Sequence, residues 1–335
     1  MKTLMFSTQS YERPVFDRVL VNSGVNLVYQ KARLDLSTAS LTEGFEAICV
    51  FVNDDLSKDV LLRLDELNIK LIALRCAGFN QVDVETAEQS GITIVRVPAY
   101  SPEAVAEHTV AMIMSLNRKT HKAWNRVREG NFNLHGLLGF NLCGHTAGLI
   151  GMGAIGRATA KILLGFGMDV LAYDPFLTDD GAKKLGIKSV ELDQLYQQSD
   201  IVSLHCPLTE DTHHLINCTS LAQMKPGAML INTSRGALID TPAVIRALKA
   251  GDLGYLGIDV YEQEGDLFFR DLSEEVIQDD VFQRLLTFPN VMVTGHQGFF
   301  TREALESIAN TTVNNIKTFE RTGSCENTVK PQLIG

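Results

Sequence analysis

Short, continuously apolar runs recur along the chain between stretches of helical periodicity. Ala47-Ile48-Cys49-Val50-Phe51-Val52 is the clearest, and a strand apolar at every position belongs to a parallel sheet covered on both faces. Leu4-Met5-Phe6, Leu71-Ile72-Ala73-Leu74 and Ile92-Thr93-Ile94-Val95 read the same way. Between them, Val15, Val19 and Leu20 share one helical face, and Leu56 to Leu67 places Leu56, Val60, Leu64 and Leu67 inward. The rhythm resumes with strands at Ala147–Ile150, Val170–Tyr173, Ile201–Leu204, Ala228–Asn232, Tyr255–Asp259 and Val291–Thr294, a sheet of about six or seven parallel strands. Two long helices stand apart. Glu103 to Asn117 is apolar on most faces, so it is expected to be buried between domains or subunits, and Arg302 to Glu320 closes the chain. Gly265 to Asp280, acidic and with paired phenylalanines, reads as an insertion loop.

At 335 residues the chain can form two domains of roughly 150 residues, each with its own core. The net charge of −10 argues against partners such as nucleic acid or an anionic membrane surface. No apolar run approaches the ~20 residues that span a bilayer. Met1 to Phe6 turns polar at Ser7, too soon for a signal peptide. The cysteines (Cys49, Cys76, Cys143, Cys206, Cys218 and Cys325) show no CxxC spacing, which suggests reduced thiols in a cytoplasmic, disulfide-free protein. His205 with Cys206, and His213 with His214, come nearest to a metal-ligand pattern. Neighbours on a strand point to opposite faces and no acid or thiol completes a set, so no metal site is expected.

Composition alone names no chemistry; the stretch from Thr146 to Asp174 does. A strand turns through Gly151-Met152-Gly153-Ala154-Ile155-Gly156 into a helix, and a second strand stops at Asp174, 23 residues after Gly151. This is the order of a dinucleotide-binding unit. Gly151 permits the tight turn, Gly153 lets the backbone approach a pyrophosphate, and Gly156 lets the helix pack closely. The helix N-terminus offers N–H groups and partial positive charge to phosphates. A carboxylate at Asp174 accepts from an adenosine ribose and repels a 2′-phosphate, favouring NAD over NADP.

Loops at strand ends carry the remaining candidates. Arg75-Cys76-Ala77-Gly78-Phe79-Asn80 follows a strand at the edge where open α/β sheets take ligands, and Gly78 lets N–H groups turn toward an anion. Val97-Pro98-Ala99-Tyr100-Ser101-Pro102 breaks regular structure and starts the first long helix, whose His108 reads as a satisfied core histidine. Three later strands lead into Thr233-Ser234-Arg235-Gly236, Val260-Tyr261-Glu262-Gln263-Glu264 and Gly295-His296-Gln297-Gly298-Phe299. One arginine, one glutamate and one histidine thus belong to one sheet edge.

Together these segments resemble the NAD-dependent D-2-hydroxyacid dehydrogenases, most closely the fermentative D-lactate dehydrogenases among them. Arg75 to Asn80, Val97 to Glu107, the glycine turn, Asn232 to Gly236, Asp259 to Glu262 and Gly295-His296 carry the likeness, with Arg235, Glu264 and His296 in the family's order. The resemblance implies an α/β fold of two doubly wound parallel-sheet domains with a cleft between them. A Rossmann NAD domain would span 101–299, and a flavodoxin-like substrate domain 1–100 with 300–335. It implies a homodimer or higher homo-oligomer built largely through the NAD domain. It also places Ala154 and Ile155 at the pyrophosphate, Cys206 and Pro207 along the adenosine with Thr212 nearby, Thr233, Ser234 and Arg235 toward the nicotinamide, and Asp259 at its carboxamide. Cys206 there is a contact and not a nucleophile, since no base is paired with it. Formate dehydrogenases carry glutamine where Glu264 stands, so formate is not the expected substrate.

The implied reaction is NADH-dependent reduction of pyruvate to D-lactate. Hydride transfer to a 2-keto carbon leaves charge on the carbonyl oxygen, so the site needs a proton donor and an electrostatic clamp. His296 fits the donor, Glu264 fixes its tautomer, and Arg235 pairs with the substrate carboxylate through a planar fork. Backbone N–H groups of Ala77 and Gly78 hold the other carboxylate oxygen. Phe51, Phe79, Tyr100 and Phe299 are expected to border the cleft, leaving room for a methyl group and little more. Two other readings stay open: a dehydrogenase of larger 2-keto acids, and an NAD-sensing transcriptional corepressor that uses the same fold for partner binding. Turnover of pyruvate with NADH separates enzyme from sensor.

Overall fold

Alternation within the apolar runs decides which face each strand residue covers. In the computed structural model, which describes residues 1–330, the chain divides into two compact units. The last five positions of the expected 300–335 segment lie outside the described residues. One unit comprises Met1–Ser101 and the chain from Phe299 onward, the other Pro102–Gly298.

The first unit runs β1 (Lys2–Met5), α1 (Arg13–Leu20), β2 (Asn26–Tyr29), β3 (Ala47–Val50), α2 (Lys58–Glu66), β4 (Leu71–Leu74), α3 (Val84–Gln89) and β5 (Thr93–Val95). Its strands pair in parallel in the order β2-β1-β3-β4-β5, the flavodoxin-like order. On β3, Ile48 and Val50 pack with Val60 and Leu64 of α2, while Ala47 and Cys49 pack with Phe16 of α1 on the opposite face. Both faces are therefore dry, and every position of β3 and β4 is apolar. Arg75, just past β4, is fully buried. Its Nε donates to Glu12 at 2.8 Å and its Nη2 to the Ser7 carbonyl at 2.9 Å, with the guanidinium over the Phe51 ring. This arginine is a brace inside the unit, and removing one partner of such a buried pair costs about 3–5 kcal/mol.

The second unit opens with α4 (Pro102–Arg118) and α5 (Thr120–Arg128). It continues as β6 (Thr146–Ile150), α6 (Ala154–Gly165), β7 (Asp169–Tyr173), α7 (Asp179–Leu185), β8 (Lys188–Ser189), α8 (Leu192–Gln198) and β9 (Ile201–Leu204). After α9 (Cys218–Gln223) come β10 (Ala228–Asn232), α10 (Thr241–Ala250), β11 (Leu253–Ile258), α11 (Asp280–Leu286) and β12 (Val291–Val293). The seven parallel strands lie in the order β12-β11-β10-β9-β6-β7-β8. That is a doubly wound Rossmann sheet extended by one strand, with its switch point between β6 and β9. Leu230 of β10 packs with Val244 of α10 and Leu221 of α9, and Met229 and Ile231 pack with Ile113 of α4 and Leu163 of α6 on the other face. The buried face of α4 is thus spent on α6 and the strands of its own unit.

The chain re-enters the first unit in α12 (Arg302–Thr322), capped by the Thr301 hydroxyl and stopped by Gly323 at a φ of +70°. Ala309, Val313 and Ile316 of α12 cover the α1 face of the five-stranded sheet. Beyond it, Thr328 bridges antiparallel to Val95 and the Val329 N–H donates to the Ile94 carbonyl, which covers the β5 edge. None of the six cysteines forms a disulfide, and among the described residues no helix is long and apolar enough to cross a membrane.

Candidate active site

The glycine turn closes off β6 at the switch point. Gly151 holds a φ of +97°, and a Cβ there would meet the His205–Cys206 backbone at 2.5 Å. At Gly156 a Cβ would fall 2.1 Å from the Gly151 carbonyl oxygen, so α6 can approach the turn only without a side chain. Gly153 differs: no described atom lies within 4 Å of its Cβ position. Packing does not require glycine there, whereas a phosphate laid against the backbone at the N-terminus of α6 does. Gly153, Ala154 and Ile155 are all solvent-accessible to some degree, as contact with a ligand needs. Asp174 follows β7 and accepts from the Met152 N–H at 2.6 Å and the Phe176 N–H at 2.8 Å, which anchors its carboxylate beside the turn. Arg157, not singled out in the sequence, donates from Nε to the Met152 carbonyl at 2.8 Å and braces the same turn. These residues fit a dinucleotide.

The loop after β9 carries the next group. Cys206 is buried, and burial pushes its thiol up to about 11, so it remains protonated and non-nucleophilic at neutral pH. Its carbonyl accepts from the Ser234 hydroxyl at 2.7 Å, joining this loop to the one after β10. Pro207 is exposed and Thr212 shapes the following turn, its hydroxyl donating to the Pro207 carbonyl at 2.7 Å. Thr233 turns toward α4, where its hydroxyl meets that of Thr109 at 2.8 Å.

Arg235, Glu264 and His296 are delivered by the ends of β10, β11 and β12. Asn232, buried at the end of β10, folds the first loop: its side chain accepts from the Ser234 N–H at 3.0 Å and donates to the Arg235 carbonyl at 2.8 Å. Gly236 allows this loop to touch the next, since a Cβ would meet Tyr261 backbone at 2.1 Å. Glu264 accepts from the Tyr261 N–H at 3.0 Å through one oxygen and bonds His296 Nδ1 at 2.7 Å through the other. His296 holds a left-handed φ of +52°, sparsely populated for a residue with a side chain, and its N–H donates to the Asp259 carbonyl at 2.7 Å.

Asp259 lies inside the histidine loop. Its carboxylate accepts from the Gln297 N–H at 2.9 Å, the Gly298 N–H at 2.8 Å and the Thr294 hydroxyl, and pairs with His108 Nε2 at 3.2 Å. Burial opposes its charge, but the hydrogen bonds from His108 and Thr294 outweigh it and hold the carboxyl below its ordinary range. His108 is therefore a partnered residue bracing this loop. The Gly265–Asp280 stretch is more than an insertion. Phe268 packs on Phe282 in the core, and Phe269 brings its ring to 5.8 Å from that of His296, a neighbour no periodicity announced.

The remaining candidates belong to the first unit. The loop after β4 is braced by Arg96, which donates to the Ala77 carbonyl at 2.9 Å and lies over the Phe79 ring. Among the described residues, the N–H groups of Ala77 and Gly78 donate to no other group of the chain. Phe299 is buried, with its ring 6.2 Å from Phe51 and 6.2 Å from Tyr100. Phe79 packs instead against the α2–α3 face of the core.

One expectation is corrected. His213 and His214 lie in a turn after β9, not on a strand, and His214 adopts a φ of +49°. That conformation puts the two rings on one side, stacked with centroids 4.0 Å apart, and Glu262 joins them as the acid the sequence did not show.

Comparison with known proteins extends these observations to the whole chain. Residues 110–298 match the family model described as D-isomer specific 2-hydroxyacid dehydrogenase, NAD binding domain. A 2-hydroxyacid dehydrogenase homolog of Haemophilus influenzae is 52% identical over 331 residues, covering 99% of this chain and 100% of the relative. The apo structure of D-lactate dehydrogenase from Escherichia coli matches with a TM-score of 0.89 and 47% identity, over 98% of this chain and 100% of that one. A structure described as the pyruvate reductase of Chlamydomonas reinhardtii matches with a TM-score of 0.88 and 43% identity, over 95% and 96% of the two chains.

Proposed function

The chain belongs to the D-isomer specific 2-hydroxyacid dehydrogenases, NAD-dependent oxidoreductases, and on that premise we propose that it reduces pyruvate to D-lactate. The observation that carries this reading is the Glu264–His296 pair at 2.7 Å on the sheet edge that also bears Arg235 and the glycine turn. Bound NADH supplies the hydride. With Nδ1 engaged by Glu264, the His296 ring keeps Nε2 to hand a proton to the carbonyl oxygen as charge develops there. Arg235 clamps the substrate carboxylate, and the N–H groups of Ala77 and Gly78 take its other oxygen. A steady-state panel of 2-keto acids with NADH tests the assignment. Pyruvate should be turned over best; NADH binding without turnover of any 2-keto acid would leave a sensor instead.

Substrate size follows from the Phe51, Tyr100 and Phe299 rings of the first unit. They form the wall against the substrate methyl group, with Phe79 supporting the loop that holds the carboxylate. Each extra methylene is discriminated by only about 1–3 kcal/mol, or roughly 10–200-fold, so residual 2-ketobutyrate activity is expected. Tyr100→Ala should raise kcat/KM for phenylpyruvate relative to pyruvate by about tenfold or more. An unchanged ratio removes Tyr100 from the wall.

The ribose role of Asp174 is tested in the same way. Asp174→Ala removes charge-assisted hydrogen bonds of about 1.5–3 kcal/mol, so NADH binding should weaken by roughly 10–150-fold while NADPH improves relative to it. Wild-type protein using NADPH as well as NADH would contradict the assignment.

The first unit serves substrate binding and the second NAD binding, with Thr233, Ser234 and Asp259 on the nicotinamide side and Cys206, Pro207 and Thr212 on the adenosine side. The working form is a cytoplasmic homodimer joined through the second unit; that no disulfide links the six cysteines suits a reducing compartment. Light scattering on the eluted protein reads the oligomer directly.

A further inference from the structure

The geometry points to a surface site for a divalent transition-metal ion of the zinc class, built from His213, His214 and Glu262. Their donor atoms all lie within 4.8 Å of one another. His214 Nε2 stands 3.3 Å from Glu262 Oε2, and His213 Nε2 stands 3.8 Å from Glu262 Oε1. Two imidazole nitrogens and one carboxylate are the donor set that Zn2+ takes where it keeps open positions for water. Imidazole selects Zn2+, Cu2+ and Ni2+ over Mg2+ and Ca2+, which prefer oxygen donors throughout.

The backbone prepares this convergence. Adjacent side chains diverge in extended chain, but the left-handed His214 stacks its ring on that of His213. The conformation is fixed by the His214 N–H donating to the Ala237 carbonyl at 2.8 Å and by Asn217 Nδ2 donating to the His214 carbonyl at 3.0 Å. Donors around a tetrahedral Zn2+ stand roughly 3.3 Å apart, given bonds of about 2.0–2.1 Å. Closing the set asks for movement of about an ångström, and the three side chains, 51%, 36% and 28% exposed, have room to make it. The ion ties the turn after β9 to the loop after β11, whose Tyr261 N–H holds Glu264.

The test is calorimetric titration of the full chain with ZnCl2, using a Cys143→Ser, Cys218→Ser background because both of those thiols are exposed. One saturable site per chain is expected, together with a rise in Tm on adding Zn2+. His213→Ala and Glu262→Gln should each weaken binding by at least about tenfold, since even outer-shell losses cost 10–100-fold, while their metal-free Tm stays near that of the parent. Visible d–d bands on loading Co2+, lost in His213→Ala, would give a second reading that does not depend on folding heat. Absence of saturable binding in the parent, or a site retained in His213→Ala, overturns the proposal. Should His213→Ala itself prove unstable, the milder His213→Gln carries the same expectation.

Discussion

Replacing His296 with alanine should lower kcat for pyruvate reduction by about 10²–10⁴-fold, the usual contribution of a positioned acid. The expectation comes from a chain of local constraints. The left-handed backbone at His296 and the bond from its N–H to the Asp259 carbonyl set where the ring emerges. Glu264, held by the Tyr261 N–H, then fixes its tautomer from Nδ1. Removing the ring leaves that apparatus in place with nothing to deliver the proton. NADH affinity should stay near the parent value, because the glycine turn and Asp174 follow β6 and β7, away from the ends of β10, β11 and β12. A fluorescence titration with NADH beside steady-state kinetics separates the two effects. Near-normal turnover in His296→Ala would assign the proton to another group and leave Glu264 a structural partner.

Much of this apparatus is legible in the sequence, and the reason is burial. Strands such as β3 and β4 are dry on both faces, so every residue had to be apolar and the runs announced themselves. The edge strands β2 and β8 gave no such run: Asn26–Tyr29 alternates exposed with half-buried positions, and Lys188–Ser189 is two polar residues. Helix α5 buries no residue, so its sequence carried no apolar stripe to find. At the site, Arg235, Glu264 and His296 were legible because their loops follow recognisable strands. The surrounding braces were not. Asn232 and His108 act through hydrogen bonds whose partners lie 2 to 186 residues away, and Phe269 reaches His296 beside Phe268, which is anchored in the core. Arg75 opens the loop singled out at the end of β4, yet its own charge is consumed by Glu12 within the first unit. The histidine pair misled for a related reason. A single left-handed residue reverses which side a neighbour faces, and no side-chain pattern predicts it at a histidine.

Arg235 should be the second most sensitive position. Its backbone is fixed by Asn232, and its own guanidinium contact in the loop is a 2.7 Å bond from Nη1 to the Ser234 carbonyl. That bond turns the fork without neutralising it, since a carbonyl carries no net charge. A keto-acid carboxylate can therefore pair with the remaining N–H groups in two parallel hydrogen bonds. Truncating one partner of a desolvated, hydrogen-bonded charge pair costs about 2–5 kcal/mol, so Arg235→Gln should lower kcat/KM for pyruvate by roughly 30- to 5,000-fold. Arg235→Lys keeps the charge but not the planar fork, and should recover only part of the loss. The division between constants identifies what the fork touches. A rise in KM alone means that Arg235 holds the carboxylate equally in ground and transition states; a fall in kcat as well means that it also donates to the carbonyl oxygen as charge develops. Unchanged melting temperature in both variants is expected, because the loop itself is held by Asn232 and by the contact of Gly236 with Tyr261. If Arg235→Gln kept kcat and KM near the parent values, the arginine would be a surface residue and the carboxylate clamp would have to be sought elsewhere on the same edge.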